Sequence, residues 1–219
     1  NCSKLFFESS DFEKRKNLGA LINPLTVDLF RACASSRRFS SLSLSNFRNI
    51  MNEKTEEQFS AISFSFGCKW TYAAFRGTDD TLVGWKEDFN MTFQESVPAQ
   101  RLAMEFVRSF AHVSKAPLYL GGHSKGGNLA LYAACRLSDE ELARVLHVYI
   151  LDGPGLCPEV MDTELIRRVD PVTTCIIPEF DVIGKLFEPG ITDTRIVKSF
   201  RDGLLQHSLP SWLIDHGEL

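Results

Sequence analysis

Residues 118–130, Leu-Tyr-Leu-Gly-Gly-His-Ser-Lys-Gly-Gly-Asn-Leu-Ala, constrain this chain more than any other stretch. The short apolar run Leu118 to Leu120 reads as a buried strand, and Leu129, Ala130, Ala133, Ala134 and Leu137 follow at helical spacing. Between them Gly122-His123-Ser124-Lys125-Gly126 is a G-x-S-x-G pentapeptide, in the strand–turn–helix context that a nucleophile elbow requires. So tight a turn forces Ser124 into a strained backbone and leaves no room for a Cβ two residues to either side. Glycine at 122 and 126 meets that demand. The helix that starts here aims its amide groups and positive dipole end at the serine oxygen.

The remaining segments supply an alternating frame. Phe59 to Phe66 alternates apolar with small polar residues; Gly67-Cys68-Lys69 turns the chain, and Trp70 to Phe75 returns as an antiparallel partner. Pro98 opens an amphipathic helix through Leu102, Phe106 and Phe110. Val145 to Leu151, Thr173 to Ile177 and Arg195 to Phe200 read as further strands. A capped acidic turn at Ser138-Asp139-Glu140-Glu141 and a helix around Glu159 to Val169 lie between them. Near the start, Asn23-Pro24 introduces a helix over Leu25 to Ala34, and the serine-rich stretch Ser35 to Ser45 reads as a loop. This order predicts an α/β fold, a mostly parallel central sheet with helices on both faces. All 219 residues are expected in one domain, with 1–58 an N-terminal helical and loop region and 59–212 the core.

Composition excludes several classes. Net charge is −4 with both signs scattered, and no Lys/Arg block offers a surface to nucleic acid or anionic membrane. No apolar run approaches the length of a spanning helix. Six dispersed cysteines without a C-x-x-C pair, and five histidines far apart, give no metal-ligand spacing. The cysteines mostly sit in apolar surroundings, as buried free thiols do, and Asn1-Cys2-Ser3-Lys4 has no signal-peptide pattern. A reducing, cytoplasmic setting is the expectation.

In parallel sheets, ligands bind at the carboxyl ends of strands. Ser124, Thr78, Asp152, Asp181 and His207 each fall just after a predicted strand. A serine hydroxyl needs a histidine to take its proton and a carboxylate to orient that histidine. Of the histidines after Ser124, His147 lies inside a strand and His216 near the terminus, so His207 is the expected base. Asp181, after Ile176-Ile177-Pro178, is the expected acid. Asp152 is the alternative, because its D-G-P-G turn accounts for an aspartate by turn chemistry alone. The oxyanion donors expected are the amide of Lys125 and the Thr78 segment.

Phe75-Arg76-Gly77-Thr78, with Trp85 and Asp88, resembles the F-R-G-T/S…W…D segment of class 3 (fungal-type) lipases, and Gly122 to Gly127 resembles their G-H-S-L-G-G elbow. The similarity is closer to a bacterial lipase-like family marked by F-R-G-T-D-D-T-L-V-G-W-K-E-D-F-N-M, G-G-H-S-K-G-G-N-L-A, D-G-P-G and a late Q-H before S-W, here Gln206-His207…Ser211-Trp212. The resemblance implies an α/β-hydrolase fold, a serine esterase with Ser124 and His207, oxyanion donors at Thr78 and Lys125, and no cofactor. The substrate expected is a small-molecule acyl ester or a lipid ester. Lys125 stands where the lipases carry Leu; its ammonium is expected in solvent, with attraction of an anionic substrate group as the alternative. Room for a lid exists only at Asp79 to Val97, an acidic and short segment, which favours soluble esters over triglyceride droplets. The alternatives are an acyltransferase, thioesterase or peptidase on the same triad, and a non-catalytic lipase-like binding module.

Overall fold

The computed structural model describes residues 2–17, 23–79, 81–113, 115–157, 163–180, 182–187 and 189–217. These form two compact units, 1–42 and 43–219. The first unit contains α1 (Cys2–Phe7), α2 (Phe12–Arg15) and α3 (Leu25–Ser35). Asn23 caps the start of α3 through its side chain, which accepts from the Leu25 amide at 3.0 Å.

The second unit is built on a seven-stranded sheet in sequential order. Its strands are β1 (Ser43–Asn52), β2 (Glu57–Ser65), β3 (Thr71–Phe75), β4 (Leu118–His123), β5 (Val145–Leu151), β6 (Thr173–Pro178) and β7 (Asp193–Val197). The first three pair antiparallel and the rest parallel, so the sheet is mostly parallel, as expected from the alternation. The helices are α4 (Leu82–Asn90), α5 (Pro98–Ala111), α6 (Lys125–Cys135), α7 (Asp139–Leu142) and α8 (Thr163–Val169). Residues 158–162, where the helix before Val169 was expected to begin, lie outside the described residues.

One sheet face carries the core. Ala73 and Phe75 of β3, Leu118 and Leu120 of β4, Val148 and Ile150 of β5, and Cys175 of β6 are all buried. Against them α6 is buried along its whole length, with α5 packed at its side. Phe59, Phe75, Phe106 and Phe110 form a chain of tilted and edge-on rings with centroids 5.4–6.3 Å apart. Each such ring contributes about 1.5–3 kcal/mol by leaving water.

Residues 43–52, read in sequence as part of the N-terminal region, are strand β1 of this sheet. A bulge between Ser45 and Arg48, with Asn46 at φ 55°, shifts its register. Ser45 therefore faces Ser63, whereas Arg48 and Ile50 face Ala61 and Phe59.

Among the described residues the cysteines at 33, 68, 135, 157 and 175 are free thiols. Burial pushes the thiols of Cys135 and Cys175 up to about 12. Alkylation of the native protein at about pH 8 should therefore modify exposed Cys68 and spare both, as peptide mass spectrometry would read. Modification of Cys135 at the rate of Cys68 would contradict this core. No helix among the described residues is long and apolar enough to cross a membrane.

Candidate active site

The elbow joins β4 to α6 as the glycine spacing requires. Ser124 has φ 58° and ψ −131°, a region L-residues avoid, and sits at the N-cap of α6. Its amide donates to Leu151 O at 2.9 Å, which ties the serine to the end of β5. A Cβ at Gly122 would lie 2.5 Å from the Phe75 carbonyl oxygen and the Gly126 carbonyl carbon; one at Gly126 would overlap the same Phe75 oxygen. Both glycines are thus fixed by the close approach of β3.

His207 ends a short 3-10 turn, Gly203–His207, in a loop closed at its base. Ser199 and Trp212 form an antiparallel bridge, Phe200 N donates to Ser211 O at 3.0 Å, and Leu213 N donates to Lys198 O at 2.8 Å. The late Q-H…S-W motif acquires a physical reason here. Trp212 Nε1 donates to Gln206 O at 2.9 Å, and Ser199 Oγ donates to Ser211 Oγ at 2.8 Å. Buried Gln206 accepts from the Phe180 amide at 3.1 Å, linking this loop to the one after β6. From the elbow, His123 Nε2 donates to His207 O at 2.7 Å, with the two rings 4.4 Å apart.

Of the two acids expected from sequence, Asp181 lies outside the described residues. Asp152 follows β5, is fully buried, and has φ 47°. His207 Nδ1 donates to Asp152 Oδ2 at 2.7 Å, and Gly184 N donates to Asp152 Oδ1 at 3.0 Å. The D-G-P-G turn that carries it is pinned by Asn128 of α6, whose Nδ2 donates to Gly155 O at 2.7 Å. Asn128 Oδ1 in turn accepts from Gln100 Nε2 at 2.9 Å. Asn128 and Gln100 were missed in the sequence; the G-G-N-L-A tail of the elbow motif was the available signal.

The loop after β3 runs beside Ser124: a Cβ at Gly77 would lie 3.3 Å from Ser124 Cβ. Thr78 Oγ1 donates to Asp88 Oδ2 at 2.5 Å, which fixes the hydroxyl toward α4. Asp80, in the same loop, lies outside the described residues.

Lys125 departs most from expectation. Its side chain is 1% exposed, and all three ammonium donors are used. Nζ donates to Glu87 Oε2 at 2.5 Å, Gln58 O at 2.9 Å and Gln58 Oε1 at 3.1 Å. The ammonium is therefore inside the protein and not in solvent. The long stem is drawn inward because Glu87, fully buried on α4, must be neutralised. This also revises the reading of Asp79 to Val97 as an acidic cover. Helix α4 turns Glu87 and Asp88 inward and leaves Leu82, Trp85 and Phe89 exposed, with Phe93 beyond it.

His147 packs in the sheet with Nε2 bonded to Thr174 Oγ1 at 2.7 Å, and burial lowers its pKa. His216 is exposed. Among the described residues no group of His, Cys, Asp and Glu could hold a metal ion.

A mostly parallel sheet with a serine elbow at the end of its fourth strand defines a lipase-like α/β-hydrolase fold. The Mbeg1-like family model matches residues 33–219, and the chain belongs to that family. Among solved structures, a deletion mutant of Rhizomucor miehei lipase in complex with its propeptide aligns with a TM-score of 0.54 and 15% identity, over 76% of this chain and 66% of that one. Lipase II from Rhizopus niveus aligns with a TM-score of 0.51 and 14% identity, over 76% and 69%. M37 lipase aligns with a TM-score of 0.49 and 13% identity over 73% of this chain, which spans 60% of that chain. No curated protein matches. At these identities the likeness is one of fold.

Proposed function

We propose that this protein is a serine hydrolase of carboxylic esters, with Ser124 as nucleophile, His207 as general base and Asp152, rather than Asp181, as the acid that orients it. The observation that carries this reading is the 2.7 Å contact between His207 Nδ1 and the fully buried Asp152, with the chain after Asp152 packed beside the strained Ser124. A Cβ on Gly153 would lie 2.8 Å from Ser124 O, which gives the scale of that approach.

With Nδ1–H held by Asp152, His207 presents Nε2 as the proton acceptor. Ser124 Oγ attacks the acyl carbonyl as its proton passes to Nε2. The oxyanion is held by the backbone amides of Lys125 and Thr78, and the imidazolium then protonates the departing alcohol. Water, activated by the same histidine, cleaves the acyl-enzyme. Leu82, Trp85 and Phe89 on the outer face of α4, beside the Thr78 loop, favour an apolar acyl group.

The test is hydrolysis of a p-nitrophenyl ester series from acetyl to dodecanoyl, with a fluorophosphonate probe and mass mapping of its adduct. Turnover, with the adduct on Ser124, is the expected result; the chain-length optimum sizes the acyl pocket. A protein inert to every ester and to the probe would be a binding module on a hydrolase fold.

A further inference from the structure

Resting on the reading above, we infer that the side chain of Lys125 is a positioning residue. Through its buried contacts with Glu87 and Asp88 it fastens α4 to the nucleophile elbow and so sets the Thr78 loop for oxyanion binding. Lys125 would thus act twice, by its amide on the oxyanion and by its ammonium on the loop that supplies the other donor.

The pair lies at the junction of four segments. Glu87 Oε2 accepts from Lys125 Nζ and from Gln58 N at 2.9 Å, while Oε1 accepts from Ala99 N, in the first turn of α5, at 2.9 Å. The carboxylate therefore joins α4 to β2, to the start of α5 and to the elbow. Gln58 clasps the ammonium with both its carbonyls. A helix held by three hydrogen bonds to a fully buried carboxylate is a fixed wall, since swinging it out would leave both charges unpaired.

Asp88, the next residue, transmits that fixation to the loop. Its Oδ2 accepts the Thr78 hydroxyl; its Oδ1 is buried without a hydrogen-bond partner and lies 3.8 Å from Lys125 Nζ. Burial raises the Asp88 pKa, as do Glu87 and Asp79, while Lys125 and the Thr78 hydroxyl oppose the rise. The ammonium thus favours the ionised Asp88 that accepts from Thr78. Gly84 of α4 completes the contact, because a Cβ there would lie 2.9 Å from Thr78 Cγ2.

The experiment uses Lys125→Met/Glu87→Gln, which removes both charges of the hydrogen-bonded pair together. kcat and KM are measured on p-nitrophenyl butyrate, normalised to sites titrated by the fluorophosphonate probe, beside thermal unfolding. The expected result is kcat about ten- to a hundredfold below wild type at unchanged KM, as a displaced oxyanion donor would give, even where the melting temperature recovers. Return of kcat with the melting temperature would reduce the pair to a structural role and overturn the inference. If the double variant does not fold, Asp88→Asn decides, because it leaves the buried pair intact. The same kcat loss is expected there, and wild-type kcat in Asp88→Asn would overturn the inference. A wild type inert to ester and probe would instead remove the hydrolase reading on which this inference rests.

Discussion

Asp152→Asn should lower kcat by about 10³–10⁴-fold, less than the loss from Ser124→Ala or His207→Ala, because in the proposed triad the aspartate acts only through the histidine. The geometry predicts which way the amide will sit. Gly184 N–H needs an acceptor where Oδ1 now lies, so the Asn carbonyl takes that place and its NH₂ faces His207 Nδ1. Nδ1 must then accept, the ring proton moves to Nε2, and the histidine can no longer take the serine proton. Stability should hardly fall, since Asn tolerates the positive φ of position 152 and a buried charge is removed. Steady-state kinetics with circular dichroism, run beside Asp181→Asn, would decide the acid. Loss in Asp181→Asn with activity kept in Asp152→Asn would return the role to Asp181.

Gly126→Ala should cost more than about 4–5 kcal/mol, enough to prevent folding of an ordinary domain. Helices usually gain from Gly→Ala, by up to about 1 kcal/mol. Here the added methyl would overlap the Phe75 carbonyl oxygen and crowd Arg76 C at 3.1 Å, both backbone atoms at the end of β3. Neither can move without shifting β3 against β4, which pair from Thr71–Leu118 to Phe75–Gly122. Soluble yield and chemical denaturation would measure the effect. A Gly126→Ala protein of wild-type stability would show that the elbow does not touch β3 as described.

The parallel core was legible in the chain because its strands are apolar runs between turns. Val145 to Leu151 and Thr173 to Ile177 matched β5 and β6 almost residue for residue. Strand β1 was hidden for a definite reason. Its bulge at Ser45–Arg48 breaks the two-residue period, and the residues it sets opposite Ser63 and Ala61 of β2 are exposed Ser45 and half-buried Arg48. Ser45 is satisfied by the Ser63 hydroxyl at 2.9 Å, and the Arg48 guanidinium lies 5.9 Å from the Phe106 ring, neither of which an apolar pattern can signal.

The site divides in the same way. Motif and chain order were enough to nominate Ser124 and His207. Choosing between Asp152 and Asp181 needs to know which loop reaches His207, and that depends on the closure of 198–213 by Ser199 and Trp212. Lys125 was misread because an exposed lysine is the usual case. Its buried partner, 38 residues upstream, stands in an ordinary-looking charged helix turn, Lys86-Glu87-Asp88.

The Lys125–Glu87 pair also bears on how such a chain can diverge. Losing either partner alone strands a buried charge at a cost of about 3–5 kcal/mol, whereas replacing both by well-packed apolar groups is often neutral. The route from this elbow to one with an apolar residue after the elbow serine therefore crosses a valley that single substitutions cannot bridge. Descendants would keep both charges or lose both. In sequences sharing this fold, an aliphatic residue at the position of Lys125 should travel with a neutral one at that of Glu87, a correlation readable across lineages without any assay.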